Sequence, residues 1–320
     1  MEWKKIDITE VGGFRIGSAQ DADAMTGLTA ILFDAPNTGG IDISGGGPAC
    51  REPGLLFPTS KPQSLHALVL SGGSAYGLDA AAGVMRYLEE RGVGYRVGKA
   101  IVPLVCQSCI FDLSFGSAAV RPDAAMGYAA CVDAERGVPP RAGLSGAGMG
   151  ATVGKLCGMA RAQKSGVGFF AAQIGELKIG AAAVVNAVGD VYDYKTGRKR
   201  AGTLTPDRAA FADTGEALCS GRFARAEHAN TTISAVLTNA RLTQPQMAKV
   251  ASMARAAYGQ CIRPVGTMAD GDTIYAFSVG GSVPADVSLV GALAAQVLSE
   301  AILDAVTSVH MPDEEFLKRI

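Results

Sequence analysis

The sequence NTTISAVLTN, residues 230–239, places a β-rich run directly after a polar segment. β-Branched residues follow Asn230 at once and fit a half-buried strand, whereas the preceding residues 220–230, SGRFARAEHAN, are mostly polar or small. An Asn that ends a turn before a β-branched Thr is an ordinary combination at such a junction. We therefore predict that a loop meets a strand between Asn230 and Thr231, and that this junction is the main internal boundary of the chain.

Further strand-like runs, each bounded by Gly, Pro, Asn or Asp, alternate with helical patterns along the chain. The strands are predicted at residues 28–33, 65–70, 179–188, 231–237 and 273–279, and the helices at residues 75–90, 244–260 and 284–306. Pro284 suits the first turn of the last helix. This mixture predicts a layered α/β fold in which helices pack on sheets, and it leaves the strand order open.

The composition favours a globular protein without nucleic-acid or membrane partners. The 320 residues suit one large domain or two intimate ones, and 48% apolar residues suffice for a sizeable core. Lys and Arg number 29 against 30 Asp and Glu, so the basic surplus that nucleic acids and anionic lipids select is missing. The amino end lacks an apolar signal core, and no apolar run approaches the roughly 20 residues of a membrane helix. We expect a cytoplasmic location.

The seven cysteines and three histidines are spread too thinly for a disulfide framework or a metal site. Cys106 and Cys109 form a C-x-x-C, but no second Cys or His pair stands at zinc spacing, so free buried thiols are expected. His66, His228 and His310 have no spacing typical of a metal site or a catalytic triad. We expect no metal.

Two familiar motifs are incomplete. The segment SGGSAYG, residues 71–77, places Ser74 between a strand and a helix, but Tyr76 stands where a nucleophile elbow needs its second Gly. The segment GAGMGA, residues 146–151, matches a dinucleotide-binding pattern, yet no strand leads into it and no acidic residue follows at the right distance. We interpret its glycines as positions of close helix packing.

Thr231 and the acidic pair Asp270 and Asp272 are compatible with an N-terminal nucleophile. A Thr hydroxyl needs a base, and the free amine of an N-terminal Thr, with a reference pKa of about 7.7, can be that base. Carboxylates two residues apart lie on one face of an extended segment, so the two acids could orient the hydroxyl and hold the amine. A plain loop-to-strand junction, an Asp-Gly hairpin turn and an accidental N-x-T glycosylation sequon at Asn230 are the alternatives.

Residues 230–239 together with DGDT, residues 270–273, resemble the self-processing aminopeptidase family. That family includes L-aminopeptidase/D-esterases, β-peptidyl aminopeptidases and nylon-oligomer (6-aminohexanoate-oligomer) hydrolases. The resemblance runs from about residue 11 to residue 305 and includes LSGGSAYGL, residues 70–78, and GAGM, residues 146–149. The Asp-Gly-Asp spacing looks closest to the nylon-oligomer branch, because aminopeptidase members more often carry a Ser nucleophile and Ser-Gly-Glu.

The resemblance implies one self-processing hydrolase domain, residues 1–320, that is cut between Asn230 and Thr231. The α chain is then residues 1–230, the β chain is residues 231–320, and the two chains stay associated. Thr231 is the implied nucleophile, and Asp270 and Asp272 are its supporting acids.

Motif position in the same family adds Lys155 and Asn186. Asn186 would donate its amide hydrogen to the developing oxyanion, a role worth about 3 kcal/mol, and Lys155 would polarise the site or anchor a substrate carboxylate. A surface lysine and a turn asparagine are the alternatives. Phe111 stands where relatives often have Tyr, so a phenol hydroxyl is absent, and Tyr76 is a possible substitute. The substrate preference therefore stays open.

The fold that the resemblance implies is a four-layer α/β/β/α sandwich resembling N-terminal nucleophile hydrolases, and relatives assemble as homotetramers. The first function it implies is hydrolysis of amide bonds in small peptides or β- and ω-amino-acid oligomers, through an acyl-enzyme on Thr231. An acyltransferase with the same acyl-enzyme is the second, and a processing-dead binding or assembly protein is the third. The mechanism needs only side chains and the new amine, so no metal, nucleotide or flavin cofactor is expected.

Overall fold

The computed structural model describes residues 3–219 and 230–320. Most of the predicted polar segment, including His228, lies outside the described residues. The strands are β1 Lys4–Ile6, β2 Phe14–Asp21, β3 Thr26–Phe33, β4 Asn37–Ile43, β5 Ala49–Arg51, β6 Ala67–Ser71, β7 Tyr95–Val97, β8 Ala100–Val102, β9 Val105–Cys109, β10 Thr152–Val153, β11 Gln163–Lys164, β12 Val167–Ile174, β13 Leu177–Asn186, β14 Asp190–Tyr192, β15 Lys199–Ala201, β16 Thr231–Arg241, β17 Ile262–Arg263 and β18 Thr273–Pro284. The α-helices are α1 Ala80–Glu90, α2 Ala124–Ala134, α3 Thr214–Cys219, α4 Gln244–Ala254, α5 Ala256–Cys261, α6 Val287–Thr307 and α7 Asp313–Leu317.

Two large sheets form the centre of the molecule. One has six strands in the order β1-β12-β13-β16-β18-β4, and the other has five in the order β2-β3-β6-β9-β5. Smaller ladders join β15-β14-β17, β10-β11 and β7-β8. Within the six-stranded sheet, β16 runs antiparallel to β13 and parallel to β18. The end of β13 and the starts of β16 and β18 therefore meet at one edge of the sheet.

Alternating side chains of β16 show how the sheets are layered. Ile233, Ala235 and Leu237 are fully buried in a cluster shared with the five-stranded sheet, which contributes Ile31 and Leu68. Because successive strand side chains point to opposite faces, the residues between them turn the other way. The two sheets thus pack face to face around a common apolar core.

Helices cover the two outer faces. Val236 of β16 packs in a second cluster with Val250 of α4 and Leu298 of α6, and a third cluster joins Leu28 of β3 to Val84 of α1. The order helices, sheet, sheet, helices is the expected four-layer α/β/β/α sandwich. By length and composition α6 is the one described helix that could cross a membrane, but more than half of its apolar window is buried inside the fold.

Three predicted helix boundaries were wrong. The first part of the predicted helix 75–90 is a 3-10 helix, Ser74–Asp79, and α1 begins only after it. The predicted helix 244–260 is broken at Arg255 into α4 and α5. Pro284 ends β18 instead of opening a helix, because the strand continues to pair with β16 up to that residue. Helix α6 begins after Asp286, whose side chain accepts hydrogen bonds from the first free N–H groups.

Candidate active site

The strand ends bring the predicted nucleophile and its partners to one edge of the six-stranded sheet. Thr231 is the first residue of β16 and lies directly opposite Asn186, the last residue of β13. Asp272 immediately precedes β18, which is parallel to β16 and starts at the same edge. Thr231 is only 4% exposed. The predicted strand start at Thr231 is confirmed and is buried, whereas the predicted loop before Asn230 lies outside the described residues.

The segment before β18 holds Asn230 through both its backbone N–H and its carbonyl oxygen. The N–H of Asn230 donates to the carbonyl oxygen of Ala269 at 2.8 Å, and the N–H of Gly271 donates to the carbonyl oxygen of Asn230 at 2.8 Å. The hydroxyl of Thr231 donates to the same Asn230 oxygen in a very short contact. A backbone N–H and the Thr231 hydroxyl therefore meet at one carbonyl group.

Gly271 is placed so that no larger residue fits. A Cβ added to it would lie 2.7 Å from Oγ1 of Thr231 and 2.9 Å from the carbonyl oxygen of Gly47. Both distances are shorter than real Cβ contacts, so only a glycine lets the backbone approach the hydroxyl this closely. Sequence reasoning treated this glycine as a possible hairpin residue and missed its position beside the Thr231 hydroxyl.

Asp270 and Asp272 are both buried, and backbone groups hold each carboxylate. The carboxylate of Asp270 accepts from the N–H and the hydroxyl of Thr267, at 2.8 and 2.6 Å. The carboxylate of Asp272 accepts from the N–H of Thr232 at 2.6 Å and from the N–H of Gly266 at 2.9 Å. Asp272 thus fixes the backbone directly after Thr231, and Asp270 fixes the turn that precedes both acids.

Burial makes both acids weaker. It raises the pKa of Asp270, and it raises the pKa of Asp272 to about 7, with the negative charge of Asp270 as the second cause. One of the two therefore exchanges a proton near neutral pH, which suits a group that takes part in proton transfer.

Lys155 and Asn186 form a second buried pair. The Nζ of Lys155 donates to Oδ1 of Asn186 at 2.8 Å and to its carbonyl oxygen at 3.0 Å. Burial lowers the pKa of Lys155 to about 7, against the opposing pull of Asp270, Asp112 and Asp272. The left-handed Gly154, with φ +73°, makes the turn that sends this side chain inward. The predicted lysine is therefore not a surface residue.

The side chain of Asn186 is fixed at both ends. Its Oδ1 also accepts from the N–H of Thr152 at 3.0 Å, and its Nδ2 donates to the carbonyl oxygen of Phe111 at 2.9 Å. Phe111 is half-buried, and the group it contributes to the site is its backbone carbonyl oxygen. Tyr76, the proposed substitute for a missing phenol, is 65% exposed and stacks with Arg121.

A layer behind Asn186 was missed by sequence reasoning. Asp112, next to Phe111, accepts from the N–H of Gly73 and from the hydroxyl of Thr26, both at 2.7 Å. Lys164 is buried, and its Nζ donates to three backbone carbonyl oxygens, those of Gly148, Ala151 and Ser165. The sequence signals for this layer were the glycines of GGS, residues 72–74, and of GAGMG, residues 146–150. Gly148 and Gly150 pack against strand backbone and Asp112, not against a helix as predicted.

A glycine-rich turn before β5 covers the acidic segment. The N–H of Ser44 donates to the carbonyl oxygen of Asp272 at 3.0 Å, and the N–H of Gly47 donates to that of Asp270 at 2.9 Å. Residues 44–47, which the motif analysis did not single out, thus fix the backbone that carries both acids.

As far as the described residues show, no cysteine or histidine forms a hydrogen bond with Thr231, Asp270 or Asp272. Cys106 and Cys109 are free and buried in β9, and burial raises the pKa of both thiols. His66 accepts from the N–H of Leu104, and His310 is exposed. Within residues 3–219 and 230–320, no three His, Cys, Asp or Glu side chains are placed to hold one metal ion.

Comparison with known proteins identifies the family of the chain. Residues 7–312 match the model of peptidase family S58. The chain belongs to peptidase family S58. An uncharacterized aminopeptidase of Mycobacterium tuberculosis is 38% identical over 93% of both chains. The 6-aminohexanoate-oligomer endohydrolase of Paenarthrobacter ureafaciens is 33% identical over 92% of this chain and 84% of its own.

Solved structures related to this S58 member share its fold. The L-aminopeptidase D-Ala-esterase/amidase of Ochrobactrum anthropi, described as a variant of the Ntn hydrolase fold, superposes with a TM-score of 0.72 at 16% identity, covering 97% of this chain and 89% of its own. A Burkholderia β-aminopeptidase gives 0.69 at 18% identity, covering 98% and 92%. The protein is therefore an amide-hydrolysing enzyme of the aminopeptidase type, and its layers are those of the Ntn hydrolase fold.

Proposed function

We propose that this S58 enzyme cuts its own chain between Asn230 and Thr231 and then hydrolyses small amides with the new N-terminal Thr231. The observation that carries the proposal is the geometry of the Asn230 carbonyl. Its oxygen receives a hydrogen bond from the N–H of Gly271 while the hydroxyl of Thr231 contacts the same group. A polarised carbonyl beside a nucleophile is what acyl transfer requires.

Self-cleavage then proceeds in two steps. Oγ1 of Thr231 bonds to the carbonyl carbon of Asn230, its proton leaves to a base, and the C–N bond breaks as the Thr231 nitrogen takes up a proton. The product is an ester between Asn230 and Oγ1. Water next attacks the ester, which releases the α chain with a carboxylate at Asn230 and the β chain with a free amine at Thr231.

Lys155 is the base we assign to the first step. The uncut chain has no free amine at Thr231, so another group must accept the hydroxyl proton. With a pKa of about 7, the Lys155 amine is partly neutral at neutral pH, and it bonds to Asn186 directly across from Thr231. A buried, partly neutral lysine is suited to general-base work.

In turnover, the amine of Thr231 replaces Lys155 as the base. Oγ1 attacks the substrate carbonyl, the Thr231 amine takes the hydroxyl proton and passes it to the departing amine, and an acyl-enzyme remains for water to hydrolyse. Asp270 and Asp272 hold the ammonium form through charge attraction. Asn186 and Lys155 orient the opposite side of the site.

The substrates we propose are small peptides or amides of β- and ω-amino acids. The support is the likeness to proteins named as aminopeptidases and as a 6-aminohexanoate-oligomer endohydrolase, together with two acids that can attract a substrate amine. Transfer of the acyl group to a second amine uses the same intermediate, so it is a measurable outcome of the same assay.

The test is a panel of amino-acid p-nitroanilides, β-dipeptides and 6-aminohexanoate oligomers, assayed with the wild-type protein and with Thr231→Ala. We expect turnover of at least one class by the wild type and none by the variant. Adding an acceptor amine would show acyl transfer as a new amide product. Equal turnover by both proteins, or no turnover by a correctly cleaved wild type, would contradict the proposal.

We further propose a homotetramer that works in the cytoplasm. The support for assembly is the hairpin of β7 and β8, a separate two-stranded ladder that exposes Tyr95, Val97 and Val102, because isolated hairpins are weakly stable in water. The support for the location is the free state of the buried cysteines. Sedimentation equilibrium tests the assembly, and a monomer at all concentrations would contradict it.

A further inference from the structure

We propose that the backbone N–H of Gly271 serves two reactions, as oxyanion donor first for self-cleavage and then for every substrate. The inference rests on the proposed function and adds a catalytic group to it. The hydrogen bond that Gly271 makes to the Asn230 oxygen is 2.8 Å long in the uncut chain. Substrate acyl groups become attached to the same Oγ1 atom, so their carbonyl oxygen comes to the same donor.

The donor is fixed in place before any reaction. The peptide group between Asp270 and Gly271 is held at both ends, since its carbonyl oxygen accepts from the N–H of Gly47 at 2.9 Å while its N–H points at Asn230. The N–H of Asp270 itself bonds to the carbonyl oxygen of Thr267 at 3.1 Å. A donor that needs no reorganisation stabilises developing charge most effectively.

The donor also lies beside the nucleophile. A Cβ on Gly271 would fall 2.7 Å from Oγ1 of Thr231, so the hydroxyl and the residue that carries the N–H are in close contact. A carbonyl carbon bonded to Oγ1 therefore lies close to that N–H, and its oxygen meets the N–H when the acyl group is oriented as the Asn230 carbonyl is. This proximity does not depend on the identity of the acyl group.

Asn186, the donor expected from sequence, is engaged in other bonds. Its Nδ2 donates to the carbonyl oxygen of Phe111, and its Oδ1 accepts from Lys155 and Thr152. The carbonyl oxygen of Asn230, by contrast, is met by the N–H of Gly271. If Asn186 were the sole donor to the oxyanion, the experiment below would give a different result from the one expected for Gly271.

One consequence concerns the new end of the α chain. After self-cleavage the carboxylate of Asn230 lies on the Gly271 N–H, and a substrate carbonyl must take its place. The hydrogen bond from the N–H of Asn230 to Ala269 is the contact that holds this end near the site.

The experiment uses the amide signal of Gly271 in the cleaved protein. Asp270-Gly271 is the one Asp-Gly pair in the sequence, so labelling Asp with ¹³C at the carbonyl and Gly with ¹⁵N gives a single carbonyl-to-amide correlation. The probe is the aminoalkyl boronic acid that matches the best substrate of the panel, added at a concentration that abolishes amidase activity. Boron bonded to Oγ1 of Thr231 mimics the tetrahedral intermediate.

We expect the boronate to bond to Thr231 and the Gly271 amide proton to move downfield, in the wild type and in Asn186→Ala alike. Uncut Thr231→Ala is the control, and the chemical shift of its Gly271 amide proton should not change when the boronate is added. A boronate bonded to Thr231 with an unmoved Gly271 signal would overturn this inference and leave the proposed function standing. Loss of activity without a bond to Thr231 would overturn both.

Discussion

The Nζ of Lys155 holds Asn186 at two points, 2.8 Å from its Oδ1 and 3.0 Å from its carbonyl oxygen. Asn186 pairs with Thr231 on the neighbouring strand, so the Lys155 amine contacts the residue directly opposite the predicted nucleophile. No carboxylate of residues 3–219 and 230–320 forms an ion pair with this amine, and burial lowers the pKa of Lys155 to about 7. Its protonation therefore changes near neutral pH.

The first prediction concerns the pH dependence of self-cleavage. Burial lowers the pKa of Lys155 to about 7 and raises that of Asp272 to about 7, so a rise in pH through 7 makes the lysine neutral and the acid charged. Only the neutral amine accepts a proton from Thr231, so the rate should rise between about pH 6 and about pH 8 and then level off. Newly synthesised chains quenched at intervals and separated by mass give this rate.

Lys155→Met and Lys155→Arg are the matched variants for that measurement. Methionine keeps about the length of the lysine side chain but has no basic group, and arginine stays charged at every accessible pH. Both should cleave at least tenfold more slowly, about 1.4 kcal/mol of barrier. A wild-type rate in either variant would show that Lys155 is not the base.

The second prediction is that Gly271→Ala blocks self-cleavage. The added Cβ would lie 2.7 Å from Oγ1 of Thr231 and 2.9 Å from the carbonyl oxygen of Gly47, so the hydroxyl has to rotate away from the Asn230 carbonyl. The protein should fold and stay uncut. Gly259→Ala is the control, because a Cβ there meets nothing within 4 Å and favours the helix. Cleavage of Gly271→Ala at the wild-type rate would contradict the geometry.

The third prediction concerns Lys164, whose Nζ satisfies three backbone carbonyl oxygens in the interior. Lys164→Met leaves those acceptors without their donor, a loss on the order of 3 kcal/mol or more. In the uncut Thr231→Ala background, which removes any effect of cleavage, the midpoint of urea unfolding should fall clearly. An unchanged midpoint would mean that the buried lysine does not hold these loops together.

Three strands of the six-stranded sheet, β13, β16 and β18, could be predicted from sequence because they are long and apolar, whereas β1, β4 and β12 were not predicted. Thr231 was placed correctly at the first position of its strand, and the acids were placed beside it by their spacing and by family resemblance. The break at Arg255 and the strand position of Pro284 were not predicted, because packing against neighbouring elements decides both.

Other parts of the site had no local signal. The N–H of Gly271 is a backbone group, and no side-chain motif reports where a backbone donor points. Asp112 follows Phe111, whose carbonyl oxygen accepts from Asn186. Lys164 pairs with Thr152, whose N–H donates to Asn186, and both relationships exist only in the folded chain. The role of residues 44–47 is visible only in the structure, where their backbone N–H groups donate to the carbonyl oxygens of Asp270 and Asp272.

The central claim is the cut between Asn230 and Thr231, and the intact mass of the purified wild-type protein under denaturing conditions tests it most directly. We predict two masses, those of residues 1–230 and 231–320. Thr231→Ala should give one uncut mass, and Thr231→Ser, which keeps a hydroxyl, should still give two. A single uncut wild-type chain with undiminished amidase activity would contradict the account.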